Sequence, residues 1–194
     1  MSPTRDDHGH CLGTKRRLCY NDVMDPCHCT YEPLVAALSA RGVRFLAPSD
    51  ARPGPEPIGD LDLIACLASH DHPRLRLALA ALFIMHPELA GQLEGLALSP
   101  AAQTELRTQY TAAVCLQRMW SIRLGFYLGQ FPLLPDLYST ALGLPSVDAH
   151  YGKLCLQTLA ARQPFDQLAA YDGVMNLVFA QLKAEATHEH ATAR

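Results

Sequence analysis

Apolar residues recur at helical spacing along most of this chain, and most densely over residues 60–98. The pattern predicts a helix capped by Asp60 or Asp62, a break at Asp71-His72-Pro73, a second helix, a break at His86-Pro87 and a third helix. The second of these, Pro73-Arg-Leu-Arg-Leu-Ala-Leu-Ala-Ala-Leu-Phe-Ile-Met-His86, is apolar on nearly every side after its two arginines. A helix without a polar face has to be buried by other helices. The chain supplies them. Residues 31–41 form a predicted helix with Thr30 as N-cap and Gly42 as its stop. Ser99-Pro100 is a cap and first-turn pair for a long helix reaching about Leu128, weakened by Gly125 and Gly129 and closed before Pro132. A short helix is predicted over 136–142, ended by Gly143, and another from Ser146 to about Arg162. Pro164 opens the last one, with Leu168, Tyr171, Val174, Met175, Val178 and Leu182 on its apolar face. Beyond Ala184 the sequence turns polar and is expected to fray.

The one strand candidate is Val43-Arg-Phe-Leu46, which alternates weakly and otherwise reads as an extended connector. Pro48, Pro53, Pro55 and Pro57 then exclude helix over 47–59. The fold class is therefore all-α, an irregular multi-helix bundle of about eight helices. The expected organisation is a flexible Cys/His-containing tail (1–29), a first helix and connector (30–46), a Pro-rich loop (47–59), the bundle (60–184) and a frayed tail (185–194).

Composition agrees. Hydrophobic residues make up 49% of the 194 and charged residues 18%, enough apolar material for a real core. The formal net charge of −3 provides no general attraction to nucleic acid or acidic membranes. No apolar leader and no span-length apolar run stands out, so the expectation is a soluble cytoplasmic protein with no membrane partner. Of the seven cysteines, Cys66, Cys115 and Cys155 lie inside apolar helical patterns and read as buried thiols.

Residues 1–29 concentrate His8, His10, Cys11, Cys19, Cys27, His28 and Cys29. A closed structural zinc site needs four such ligands, and His8, Cys11, Cys27 and Cys29 are the candidates. Their spacing lacks the Cys-x2-4-Cys knuckle of such sites. The expectation is therefore a tail without metal, or a segment ahead of a second start at Met24, with zinc as the alternative. No cofactor is expected.

Two constellations could carry chemistry or binding. Ser49, followed eleven residues later by Asp60-Leu-Asp62, resembles the motif of the minimal nucleotidyltransferases, a Gly-Ser followed by Asp-x-Asp closing a strand. The resemblance covers residues 31–64 and implies Asp60 and Asp62 as Mg²⁺ ligands, with Ser49 on a phosphate. It departs from the motif at Pro48, which stands in the glycine's place and donates no N–H, and in the helical spacing that follows Asp62. On the long helix, Arg107 and Arg118 are eleven residues apart and share a face. With Arg123, Trp120 and Tyr127 close by, they suggest a small basic-aromatic patch for RNA or an acidic partner. His70-Asp-His-Pro-Arg-Leu-Arg-Leu-Ala78 resembles the turn of a HEAT-type repeat, though one unit does not make a solenoid.

The overall run, through His86-Pro-Glu-Leu89, Tyr110-Thr-Ala-Ala-Val-Cys-Leu-Gln-Arg-Met-Trp120 and Leu142-Gly-Leu-Pro145, resembles uncharacterised all-helical bacterial proteins encoded beside minimal nucleotidyltransferases. That resemblance implies an accessory, toxin–antitoxin-like role with a protein partner. The functional expectation is a non-enzymatic helical interaction protein. The alternatives are a degenerate nucleotidyltransferase using Asp60 and Asp62 with Mg²⁺, and an RNA-binding helical module.

Overall fold

The helix α1 (Tyr31–Ala40) buries Leu34, Val35, Ala37 and Leu38, the positions that share one helical face. It ends because Gly42 adopts φ +83°, a left-handed conformation open to a residue without a Cβ. The Gly42 N–H then donates to the Ser39 carbonyl at 3.0 Å and the Val43 N–H to the Leu38 carbonyl at 2.9 Å. This pair of backward bonds is a Schellman closure, and it satisfies carbonyls that a helix end leaves open. The chain is seen in a computed structural model that describes residues 30–44, 46, 58–163 and 167–192, the last four as backbone only. Val43 is buried in the core, and of the two readings of 43–46 the connector holds for the described residues 43, 44 and 46, none of which is in a strand.

The helix α2 (Asp60–Ser69) takes Gly59 as its N-cap, in place of the expected Asp60 or Asp62, which lie in its first turn. The reason is Arg41. Its Nε donates to Asp60 Oδ1 at 2.8 Å, while its other nitrogens donate to the Ala37 and Ile58 carbonyls. A carboxylate held by a guanidinium is not free to turn back onto the helix N–H groups. Both acids still favour the positive end of the helix dipole.

The helix α3 (Pro73–Met85) has proline in its first turn and an unbroken buried run over 78–84. It packs against α1, α2, α4 and α6, which is why it has no polar side. Arg76 fastens its entry by donating from Nε to the His70 carbonyl at 2.8 Å, and its guanidinium lies 3.7 Å from Glu105. The helix stops at His86 (φ −126°, ψ 67°), because the residue before a proline is pushed out of the α region. The third helix expected in this stretch is only a six-residue 3-10 helix, Pro87–Gln92. Past it Gly95 reverses the chain with φ +82°.

The long helix α4 (Pro100–Leu128) has the predicted bounds, with the Ser99 hydroxyl accepting the Ala102 N–H and Gly129 as C-cap. At 1.5 Å per residue it is about 43 Å long. The helix expected over 136–142 is instead a turn. The Asp136 carboxylate accepts the Ser139 N–H at 3.0 Å and the Ser139 hydroxyl. Such side-chain bonds compete with helical ones. The helix expected from Ser146 also starts late. A 3-10 segment, Ala149–Gly152, precedes α5 (Lys153–Ala161), and His150, Tyr151 and Gly152 are all left-handed, at φ 51°, 53° and 78°.

The last helix, α6 (Leu168–Thr192), continues through the stretch expected to fray. Its end carries Ala184, Ala186 and Ala191 with Glu185 and Glu189, and Ala and Glu are good helix formers. Gln181 ties it to α1 by donating from Nε2 to the Gly42 carbonyl at 3.0 Å. Pro164 lies outside the described residues. The described residues thus form six α-helices and two short 3-10 helices with no strand, an all-α bundle. None of these helices is long and apolar enough to cross a membrane. Helices α4 and α6 run in the same direction. Tyr171 sits beside Glu105 and Gln109 at one end, Phe179 beside Trp120 midway, and Lys183 beside Tyr127 at the other end.

Candidate interaction surface

The core ends before α4 does. Its buried residues are dense up to Gln117, and beyond that Leu124 alone of residues 118–128 is buried. Beyond Arg118, α6 lies along this outer part through ring and cation contacts. The Trp120 and Phe179 rings lie 5.2 Å apart, Tyr127 and Phe179 5.5 Å, and Phe126 and Tyr127 4.9 Å. Two cations sit on these rings. The Arg123 guanidinium is 4.7 Å from the Trp120 centroid and the Lys183 ammonium 4.4 Å from that of Tyr127. Both distances are within the range of attraction to the ring quadrupole.

At 100° per residue, Trp120 and Tyr127 lie on one side of the core-facing Leu124, about 40° and 60° round the helix, Arg123 follows at about 100°, and Phe126 and Ile122 stand farthest out. Ile122 is 76% exposed and Phe126 79%. On α6, Ala180, Ala184, Thr187 and His188 line a shallow depression that starts at Lys183. The whole is an open trough with an aromatic and cationic floor, bordered on α4 by Phe126 in ring contact with Tyr127, with Ile122 beyond it on the outer side, and on α6 by the small-residue helix face.

The five residues expected to form one patch divide between two sides of α4. Trp120, Arg123 and Tyr127 belong to the trough. Arg107 and Arg118 do share a face, about 20° apart at helical geometry, but Arg118 and Arg123 are about 140° apart. Arg118 donates from Nε to Asp148 Oδ1 at 3.0 Å and from Nη2 to the Leu134 carbonyl at 3.3 Å. The Arg107 guanidinium lies 5.8 Å from the Tyr138 ring. These two arginines hold the 129–148 loop against α4. The same loop is anchored by Tyr110, whose hydroxyl donates to the Pro135 carbonyl at 2.8 Å, so its apolar run packs down through the buried Leu134.

Asp60 and Asp62 open a helix where the nucleotidyltransferase motif has them close a strand. Ser49 lies outside the described residues, as do the zinc candidates His8, Cys11, Cys27 and Cys29 and the second start at Met24. Among the described residues, no group of three or more His, Cys, Asp or Glu side chains is placed to hold a metal ion. Cys66, Cys115 and Cys155 are buried, as expected. Cys115 and Cys155 share a hydrogen bond across α4 and α5, and this bond together with burial pushes the Cys115 thiol far up while Cys155 moves down. The histidines at the helix breaks also serve the fold. His70 Nδ1 accepts the His72 N–H at 3.0 Å, and His86 Nε2 lies 2.7 Å from the Arg41 carbonyl, where it satisfies the end of α1.

Beside the small-residue face of α6, the large members of the trough that escape a reading of the sequence are Ile122, Phe126, Phe179 and Lys183. The signal for the first two is present. Large apolar residues four apart on a helix that already has a complete core stripe form a second stripe, which nothing in the core requires. Phe179, next to the core residue Val178, carries no such mark. The chain matches no protein-family model, no curated protein and no solved structure.

Proposed function

We propose that this chain is a non-enzymatic helical accessory protein of the cytoplasm that acts by docking another protein in the α4–α6 trough. The observation that carries this reading is the pair Ile122 and Phe126, four residues apart and more than three-quarters exposed, with Phe126 in ring contact with Tyr127 at the edge of the aromatic and cationic floor. Exposed apolar groups arranged in a contiguous face mark interaction sites more often than solitary ones do. Trp, Tyr and Arg are the residue types that dominate binding energy at protein interfaces. The enzyme reading has less support, since Asp60 is engaged by Arg41 at 2.7 Å and a bound metal would have to displace that guanidinium.

A photo-cross-linking residue placed at position 126 of the full chain, in the source cell, tests the proposal. The control is the same residue at Gln103, exposed at the opposite end of α4. A discrete protein adduct is expected from position 126 alone, and its loss is expected when Ile122→Asp is added. Equal labelling from both positions, or none from 126, overturns the reading.

A further inference from the structure

We infer that the occupant of the trough is an acidic amphipathic helix, an inference that rests on the docking reading above. The shape comes first. Helices α4 and α6 run side by side in the same direction, and the groove between two such helices accepts a third laid along it. On the α6 bank Ala180 and Ala184, four residues apart, leave room for close backbone approach beside Lys183. On the α4 bank Ile122 and Phe126 have the same spacing and offer apolar surface to an i, i+4 stripe.

The charge of the occupant follows from the two cations. Arg123 and Lys183 lie on the rings that form the floor, and neither makes an ion pair with a described residue. Of the described acids, Asp136 holds the Ser139 turn, Asp148 binds Arg118 on the other side of α4, and a carboxylate oxygen of Glu185 lies toward Gly42. A partner burying this floor meets two positive charges that no described acid pairs with. Burying unpaired charge is costly, so carboxylates on the partner are what make the fit favourable. A nucleic acid fits less well. Two cations in a chain of net charge −3 provide little counter-ion release, and phosphates have no use for an exposed isoleucine.

The test selects from a displayed library of amphipathic helical 16-mers, with a fixed leucine stripe and randomised polar positions, on the immobilised full chain. Asp and Glu are expected to be enriched at the polar positions on the wild type. On the Arg123→Glu/Lys183→Glu variant the preference is expected to reverse to Lys and Arg. Selected acidic peptides should also shift the emission of Trp120, the single tryptophan of the chain, and bind the charge-reversed variant at least tenfold more weakly.

Clones that depend on Ile122 and Phe126 but select no charge, or whose preference survives the reversal, overturn the acidic partner and leave the docking reading standing. Clones that bind the Ile122→Asp/Phe126→Asp variant as well as the wild type overturn both. A Trp120 response to single-stranded oligo(U) stronger than to any selected peptide replaces the helix with nucleic acid.

Discussion

Gln117, wholly buried in the middle of α4, accepts the Leu134 backbone N–H on its side-chain oxygen at 2.7 Å. Its side-chain nitrogen points to the Ile84 carbonyl at the end of α3, at 3.4 Å. The next residue, Arg118, takes the Leu134 carbonyl, so two adjacent side chains grip both polar groups of one loop residue. Leu134 can be buried because its backbone is satisfied there.

Replacing Gln117 with Leu keeps much of the volume and removes both bonds. The buried Leu134 N–H then has no acceptor, and an orphaned buried donor costs about 1–3 kcal/mol. Urea denaturation of Gln117→Leu should show that loss. Faster amide exchange at Leu134 should accompany it, because the loop is no longer pinned. An unchanged midpoint would mean that the loop is held by Tyr110 and Arg118 alone.

Gly152 makes the second prediction. A Cβ there would sit 2.8 Å from the Cys115 carbonyl oxygen and 3.0 Å from its Cα, and φ is +78°. The left-handed turn His150–Gly152 brings α5 so close to α4 that backbone touches backbone. Gly152→Ala meets both the contact and the φ penalty and should cost about 2 kcal/mol or more. Gly125→Ala is the matched control. It lies in α4 with nothing within 4 Å of the added carbon and should gain about 0.5–1 kcal/mol from helix propensity. Opposite shifts in thermal midpoint are the expected outcome.

The pH dependence follows from His70. Burial first, and then the neighbouring His72, holds its pKa below the ordinary 6.5. Its Nδ1 must stay unprotonated to accept the His72 N–H. An imidazole with a depressed folded pKa takes its proton more readily in the unfolded chain. Stability is therefore flat above pH 6.5 and falls as the pH drops below it, until the folded form protonates as well. His70→Asn keeps an acceptor for His72 and removes the titration. The urea midpoint of this variant should fall less than that of the wild type between pH 7.5 and 5.5. Equal losses would place the sensitivity in other groups.

Much of the fold is legible in the sequence because its causes are local. Ser99 and Gly129 bound α4 as the sequence indicates, since a serine cap and a glycine end act on their own neighbours. Pro87 likewise ends α3. Several misread elements are set by distant partners. Arg41 takes Asp60 away from the cap of α2. The helix expected at 136–142 is lost to the local Asp136–Ser139 bonds, while Tyr110, Gln117 and Arg118, side chains on another element, hold the loop that contains it. The left-handed turn at His150–Gly152 exists to fit α4, and no spacing rule announces it. The candidate site is legible in part. Trp120, Arg123 and Tyr127 stand out in the sequence, but Arg107 and Arg118 lie about 140° or more round the helix from Arg123 and belong to the loop contact. The contribution of α6 depends on its running parallel to α4, a tertiary fact.

The trough itself separates binding from folding, and Trp120 reports on both. Phe179 touches Trp120 and Tyr127 from α6, so Phe179→Ala removes the ring contacts between the two helices here and leaves Lys183 on Tyr127. For a partly buried ring the cost should be about 1–3 kcal/mol, at the low end of aromatic truncations, and Trp120 emission should move to the red as water reaches the indole. Ile122 and Phe126 point outward, and Ile122→Asp/Phe126→Asp should leave the midpoint within about 0.5 kcal/mol of wild type. The emission of that variant should be nearly unchanged and its partner binding lost. The two variants thus predict opposite pairs of effects. If the Asp double variant unfolds as readily as Phe179→Ala, its side chains belong to the core, and the outer bank of the trough is not a surface kept free for a partner.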